Sequence, residues 1–158
     1  MSTPRRTSER GAVAGAEVLA VGALVLVTMV LSLAAAWRVV DTQTALDDAA
    51  REYLRTYTEQ EDAASAAGAA AAAARTVLER RGTPVRSLRL VPPAPERFGP
   101  CADAHVELRA RVPRVQLPFG HEFGSVEVVA TADELVDAHK EVHRGPAYDP
   151  SRTTCATP

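Results

Sequence analysis

The chain has 158 residues and a formal net charge of −2, room for one modest domain or a short element plus a small domain. Near-balanced charge argues against nucleic acid as the main partner, and two Cys are too few for a disulfide scaffold or a Cys-based zinc site. Hydrophobic residues make up 46%, but 30 residues are Ala, so the area available to a core is smaller than that figure implies. The single Lys is Lys140, against 17 Arg. No feature of the composition points to an enzyme, and no cofactor is expected.

The strongest signal is Val18 to Trp37, VLAVGALVLVTMVLSLAAAW, which carries no charge. At about 1.5 Å per residue a helix of this length spans about 30 Å, the hydrocarbon thickness of a bilayer. Thr28 and Ser32 are tolerable inside such a run, because their hydroxyls can bond back to helix carbonyls. Trp37 closes the run where an amphipathic ring favours the interface. Arg5, Arg6 and Arg10 precede it, whereas Arg38 and then Asp41, Asp47 and Asp48 follow. The positive-inside rule therefore places the short N-terminal arm in the cytoplasm and the residues from about Arg38 onward outside. Two other readings stay open: the buried helix of a soluble protein, and a signal peptide cleaved after Ala36, since Ala34-Ala35-Ala36 gives a small-residue site.

Helical spacing continues past the apolar run through Val40, Ala45, Leu46, Ala49, Ala50, Tyr53, Leu54 and Tyr57. No Gly or Pro interrupts from Ala23 to Thr58, so one helix is expected to cross the bilayer and continue for several turns as an amphipathic rod. Thr58 and Glu61 have the spacing of a capping box. They open a predicted second helix through the Ala-rich stretch AASAAGAAAAAARTVLERR to Gly82. Packing of that helix on its own domain is favoured over a dimerisation face.

After Pro84 the period changes to two. Val85 to Val91 alternates, with Arg86 and Arg89 on opposite faces, so its inward side is ambiguous. Pro92 to Pro100 reads as a loop. Ala104, Val106, Leu108, Ala110 and Val112 alternate cleanly with His105, Glu107, Arg109 and Arg111, the pattern of a strand with one buried face. Pro113 and Pro118 are expected to loosen its continuation. Phe119 to Gly124 reads as a turn, Val126, Val128 and Ala130 as a further strand, and Glu134 to Val142 as its extension or a short helix. From Gly145 the chain reads as an irregular, mobile tail. The chain thus divides into a basic leader over 1–11, a membrane-spanning and extended helix over 12–58, an Ala-rich helix over 59–82, a β-rich region over 83–144 and a tail over 145–158. The expected class is α+β, a small antiparallel sheet covered by helix.

Arg10-Gly11-Ala12-Val13-Ala14-Gly15-Ala16-Glu17 leads into the apolar helix, and Thr44-Ala45-Leu46-Asp47-Asp48-Ala49-Ala50-Arg51-Glu52 follows it. Together with the Ala-rich helix, the small sheet and Cys101 ahead of a strand, this order resembles the TadE-like family of minor pseudopilins, particularly its short actinobacterial form. The resemblance covers roughly Arg10 to His139. It implies a structural pseudopilin-like subunit of a tight-adherence pilus or secretion apparatus. The implied partners are the lipid bilayer, other pilin-like subunits, assembly platform proteins and a prepilin peptidase. It also implies leader processing at Gly11 or Ala12. A cut after Gly11 makes Glu17 the sixth residue, and a cut after Ala12 makes it the fifth, the place the family's Glu occupies. A carboxylate at the membrane boundary is costly unless paired, and the α-ammonium freed by processing is a ready partner, which gives Glu17 a role in subunit assembly. Alternatively, Glu17 simply belongs to the polar flank. The other functional expectations are a small secreted binding domain released after Ala36 and an anchored accessory protein outside any filament.

Cys101 and Cys155 would both lie outside the cytoplasm, where a disulfide persists; a bridge would tie the tail to the loop before the best strand, and two free thiols are the alternative. His139 and His143 are four apart and share a face if their segment is helical, but a metal site needs a third ligand, so none is expected.

Overall fold

The computed structural model describes residues 9–83, 87–116, 122–153 and 155, with side chains described from Val18 onward except over 114–123. The fold is α+β: helix α1 (Glu9–Thr58), helix α2 (Ala63–Arg80), and strands β1 (Leu88–Val91), β2 (Asp103–Gln116) and β3 (Glu122–Leu135). The chain forms two compact units, Met1–Arg38 and Val39–Pro158.

In the first unit α1 carries the apolar run. From Val18 to Trp37 its large side chains are exposed, Leu19 to 75% and Trp37 to 72%. The two hydroxyls in the run are satisfied as expected: Thr28 Oγ1 donates to the Leu24 carbonyl and Ser32 Oγ to the Thr28 carbonyl, both at 2.8 Å.

In the second unit the rest of α1 turns apolar residues inward. Leu46, Ala49, Ala50, Tyr53, Leu54 and Tyr57 are all buried, the i, i+3, i+4 pattern of a packed face. Helix α2 contributes Ala66, Ala70, Ala74 and Leu78, spaced every four residues and fully buried. Its start differs from the expected capping box. Thr58 is the last residue of α1, and its hydroxyl donates to the Arg55 carbonyl and meets Glu134. The N-cap is Asp62, whose carboxylate accepts the backbone N–H groups of Ala64 and Ser65 at 3.0 and 2.9 Å. Asp outcompetes the earlier Thr because a carboxylate is the stronger acceptor for the exposed donors of a first turn. These bonds, led by those to Ser65, hold the Asp62 carboxyl below the usual Asp range. At the other end Gly82 takes a φ of +63°. Its N–H bonds to the Glu79 carbonyl and that of Thr83 to Leu78, the two bonds of a Schellman ending that favours Gly.

The sheet runs β1-β2-β3, antiparallel throughout. Ala104, Val106, Leu108, Ala110 and Val112 of β2 and Val128 and Ala130 of β3 are buried. In β1 the ambiguity resolves with Leu88 and Leu90 half-buried against the core and Arg89 exposed; residues 84–86 lie outside the described part. Strand β2 does not loosen at Pro113, which pairs with Ser125. The described pairing with β1 ends at Leu88↔Ala110, so Pro113 lies past the doubly paired stretch, where a missing N–H is tolerated. Of the turn expected at Phe119–Gly124, residues 119–121 lie outside the described part, and Glu122, Phe123 and Gly124 belong instead to β3, where Glu122 and Phe123 pair with Gln116 and Val115. No helix forms over Glu134–Val142: β3 ends at Leu135, and a turn at 138–140 follows.

Candidate functional site

The residues expected to act in processing and assembly, Gly11, Ala12 and Glu17, all lie within α1. The helix thus begins at Glu9, inside the segment read as a leader, and the side chains of 9–17 lie outside the described part.

The expected disulfide pair is brought together. Cys101 and Cys155 stand 5.5 Å apart at Cα and within bonding distance at sulfur, 54 residues apart in sequence. Cys101 adopts a φ of +61° and its N–H bonds to the Val136 carbonyl at 2.9 Å. The tail leading to Cys155 is irregular, as expected, but over residues 143–148 it is held by hydrogen bonds to distant parts of the chain. The His143 N–H bonds to the Glu61 carbonyl at 2.7 Å, Gly145 N–H to Phe98 at 2.7 Å and Ala147 N–H to Glu96 at 2.8 Å. Tyr148 adds its hydroxyl to the Pro100 carbonyl at 2.7 Å. Gly145 is required here, since a Cβ would fall on the carbonyls of Pro95 and Glu96. These contacts join distant parts of the chain, so local composition gives no sign of them. His139 and His143 are not on a helix and are both exposed, so their spacing brings them to no common face. Among the described residues no group of three His, Cys, Asp or Glu is placed to hold a metal ion.

Beneath the strap formed by residues 143–148, whose Gly145 N–H bonds to the Phe98 carbonyl, lies an aromatic cluster. Tyr53 and Tyr57 stack at 6.0 Å between centroids, and Phe98 meets Tyr57 edge-on at 5.3 Å. Neither tyrosine hydroxyl finds a hydrogen-bond partner among the described residues. Burial, with added repulsion from Tyr53 and Glu96, pushes the Tyr57 phenol up to about 12, so it stays a neutral, structural ring at physiological pH.

The outward face of the sheet carries a group the sequence reading passed over. Arg89 and Arg109 are directly opposed across β1 and β2, and Arg111 stands two residues further along β2. With Ser87 and Glu127 they line a cleft of about 240 Å³. Arg109 binds Glu107, and reaches Glu127 at 3.4 Å. The hydrogen bond and charge of Glu107 push its guanidinium pKa further up. The signal available in sequence was the Arg at 89, 109 and 111 on outward positions, but their meeting depends on strand register.

Comparison of the chain with protein families, curated proteins and solved structures finds no match.

Proposed function

We propose that this chain is a pilin-like structural subunit of TadE-like type. In this reading one transmembrane helix anchors it with the N-terminus cytoplasmic, and it assembles through that helix while its α+β unit faces outward. The observation that carries the reading is the division of labour within α1. Val18 to Trp37 exposes large apolar side chains along its whole length, whereas further along the same helix Leu46, Ala49, Ala50, Tyr53, Leu54 and Tyr57 form one face buried in the core of Val39–Pro158. Exposed apolar area on that scale is stable in lipid and not in water. A disulfide-linked pair on the C-terminal side supports an extracytoplasmic placement of that unit. The processed N-terminus and Glu17 would then register one subunit against the next. The test is incorporation of Glu17→Gln into sheared surface material: the substitution is expected to reduce recovery there while leaving the membrane pool intact, and equal incorporation rejects the assembly role.

A second reading has its own support. Val39–Pro158 is a compact unit that contains the described core and both cysteines. Cleavage after Ala36 would release it as a small secreted binding domain. Recovery of a chain beginning at Trp37 from the medium alone would favour this reading over anchoring.

A further inference from the structure

The sheet ends in two open edges, β1 and β3. Just past β3 the Val136 N–H bonds to the Ala102 carbonyl. Even-numbered residues of β3 therefore turn their backbone groups toward β2, and odd-numbered ones turn outward. Gln43 agrees, since it donates to the Val129 carbonyl at 3.1 Å from beyond the ladder. The registers carry the same alternation across β2, so Leu88 and Leu90 are the outward-turned residues of β1. Among the described residues no hydrogen bond takes the outward groups of Leu88, Leu90, Ser125 or Glu127. Such an edge is a template for a further strand.

The two edges fit each other. Both β1 and β3 run antiparallel to β2, so a second copy displaced sideways sets its β3 parallel beside β1. A parallel ladder with all helices on one face needs outward groups from core-facing residues on one edge and solvent-facing residues on the other. Leu88 and Leu90 are half-buried against the core, whereas Ser125, Glu127 and Val129 are exposed. One register then matches side chains as well, with Arg89 beside Glu127 and Val91 beside Val129 of the next copy. Arg89 has no carboxylate partner among the described residues and is opposed by Arg109, a like-charge pair that a neighbouring anion relieves. Val91 and Val129 are 42% and 39% exposed. In this register Leu88 and Leu90 donate to the Ser125 and Glu127 carbonyls and accept from the Glu127 and Val129 N–H groups. The next donor in line is Pro92, which has no N–H, and the next acceptor is the Val129 carbonyl, which Gln43 holds. Both edges thus run out at the same step. Setting Arg89 beside Asp133 instead meets an acid already bound to His105 at 2.6 Å. A symmetric, antiparallel pair of β3 edges needs the Val129 carbonyl wherever Val129 is paired, so Gln43 opposes it.

We infer that copies of this chain pair head to tail, β3 of one on β1 of the next, so that one sheet extends from copy to copy. Each addition exposes a fresh edge, which makes the contact heterologous and able to propagate. The inference rests on the pilin-like reading only in that copies of the chain meet, and it adds a contact between outer units to the one proposed for α1. Four backbone hydrogen bonds make a weak contact, effective where chains are held at high local concentration.

The experiment oxidises the full-length Val91→Cys/Val129→Cys chain in phosphatidylcholine vesicles at rising protein-to-lipid ratio. Neighbouring strands lie about 4.8 Å apart, within disulfide reach. Inside one chain β2 separates the two positions, by about 10 Å or more, so they cannot join. A ladder of dimers, trimers and longer species is expected, and neither single cysteine variant should join. A second set of variants reads the same contact without cysteines. Val91→Lys and Val129→Glu should each abolish it by setting a charge beside a valine, and Val91→Lys/Val129→Glu should restore it. In the chain's own sheet these charges face Glu107 and Arg109, so the fold is kept. The readout is exchange of the Leu88, Leu90, Glu127 and Val129 amides, about tenfold slower once about nine-tenths of the chains are paired. Absence of a ladder, a ladder that stops at dimers, or exchange unmoved by the single charge variants overturns the inference. If chains still associate in those cases, assembly through α1 stands. A chain that stays monomeric throughout defeats the pilin-like reading as well.

Discussion

Replacing Cys155 by Ser isolates the contribution of the cross-link. Cys155 is exposed, so the substitution removes little packing, whereas Cys101 is 6% exposed and its loss would disturb the core as well. A closed loop of 54 residues restricts the unfolded chain by about 4 kcal/mol at 25 °C in the chain-entropy treatment. The strap keeps its own hydrogen bonds from His143, Gly145 and Ala147, so the folded state changes little and most of that figure should appear as lost stability. For a unit of this size the loss corresponds to a fall in melting temperature of about 10–15 °C. The assay is thermal unfolding of the full chain in neutral detergent, followed by the near-ultraviolet circular dichroism of the stacked Tyr53 and Tyr57. Reductant should lower the wild-type melting point to that of the variant and leave the variant unchanged. Equal melting of oxidised wild type and Cys155→Ser refutes the reasoning, as does finding two free thiols in the denatured, unreduced protein.

Other expectations follow from single positions. Ala70→Leu should destabilise the outer unit by about 1–3 kcal/mol, because the methyl is fully buried in the α2 stripe and extra carbons must displace neighbours; chemical denaturation measures it. Gly68→Ala should instead stabilise by about 1 kcal/mol, since Gly68 is inside α2 with nothing within 4 Å of a Cβ, and a lower denaturation midpoint would contradict this. The Tyr57 contribution is full below about pH 10, where an unfolded tyrosine stays protonated, and is lost as pH rises toward about 12; melting points across that interval should fall less steeply in Tyr57→Phe. Asp62 acts in the opposite direction. Its lowered pKa stabilises above the ordinary Asp range and is lost as pH falls through the folded value, and Asp62→Asn should flatten that acid limb.

Elements whose signal is periodic were legible in sequence. The apolar run, its continuation to Tyr57 and the alternation from Ala104 to Val112 each repeat one local rule, and the structure places them as that rule requires. Legibility failed where a distant partner decides. Thr58 has the right spacing for a cap, yet α1 extends to include it and Asp62 four residues on holds the next helix. Tail residues from Gly145 to Tyr148 look unstructured in composition, but their order comes from carbonyls at Glu96, Phe98 and Pro100. Arg89 was noted in sequence only as an ambiguity of strand face, and only the register sets it against Arg109. Of the candidate site, the cysteine pairing was anticipated and the arginine cleft was not.

The proposed function makes the N-terminal helix a processed, membrane-held assembly element. The intact mass of the chain from its native membrane fraction tests this most directly. A membrane-bound species lacking the residues through Gly11 or Ala12 is expected. A full-length membrane species would leave an anchored accessory protein with no new α-ammonium to pair with Glu17. A species beginning at Trp37 and found only in the medium would contradict the account outright.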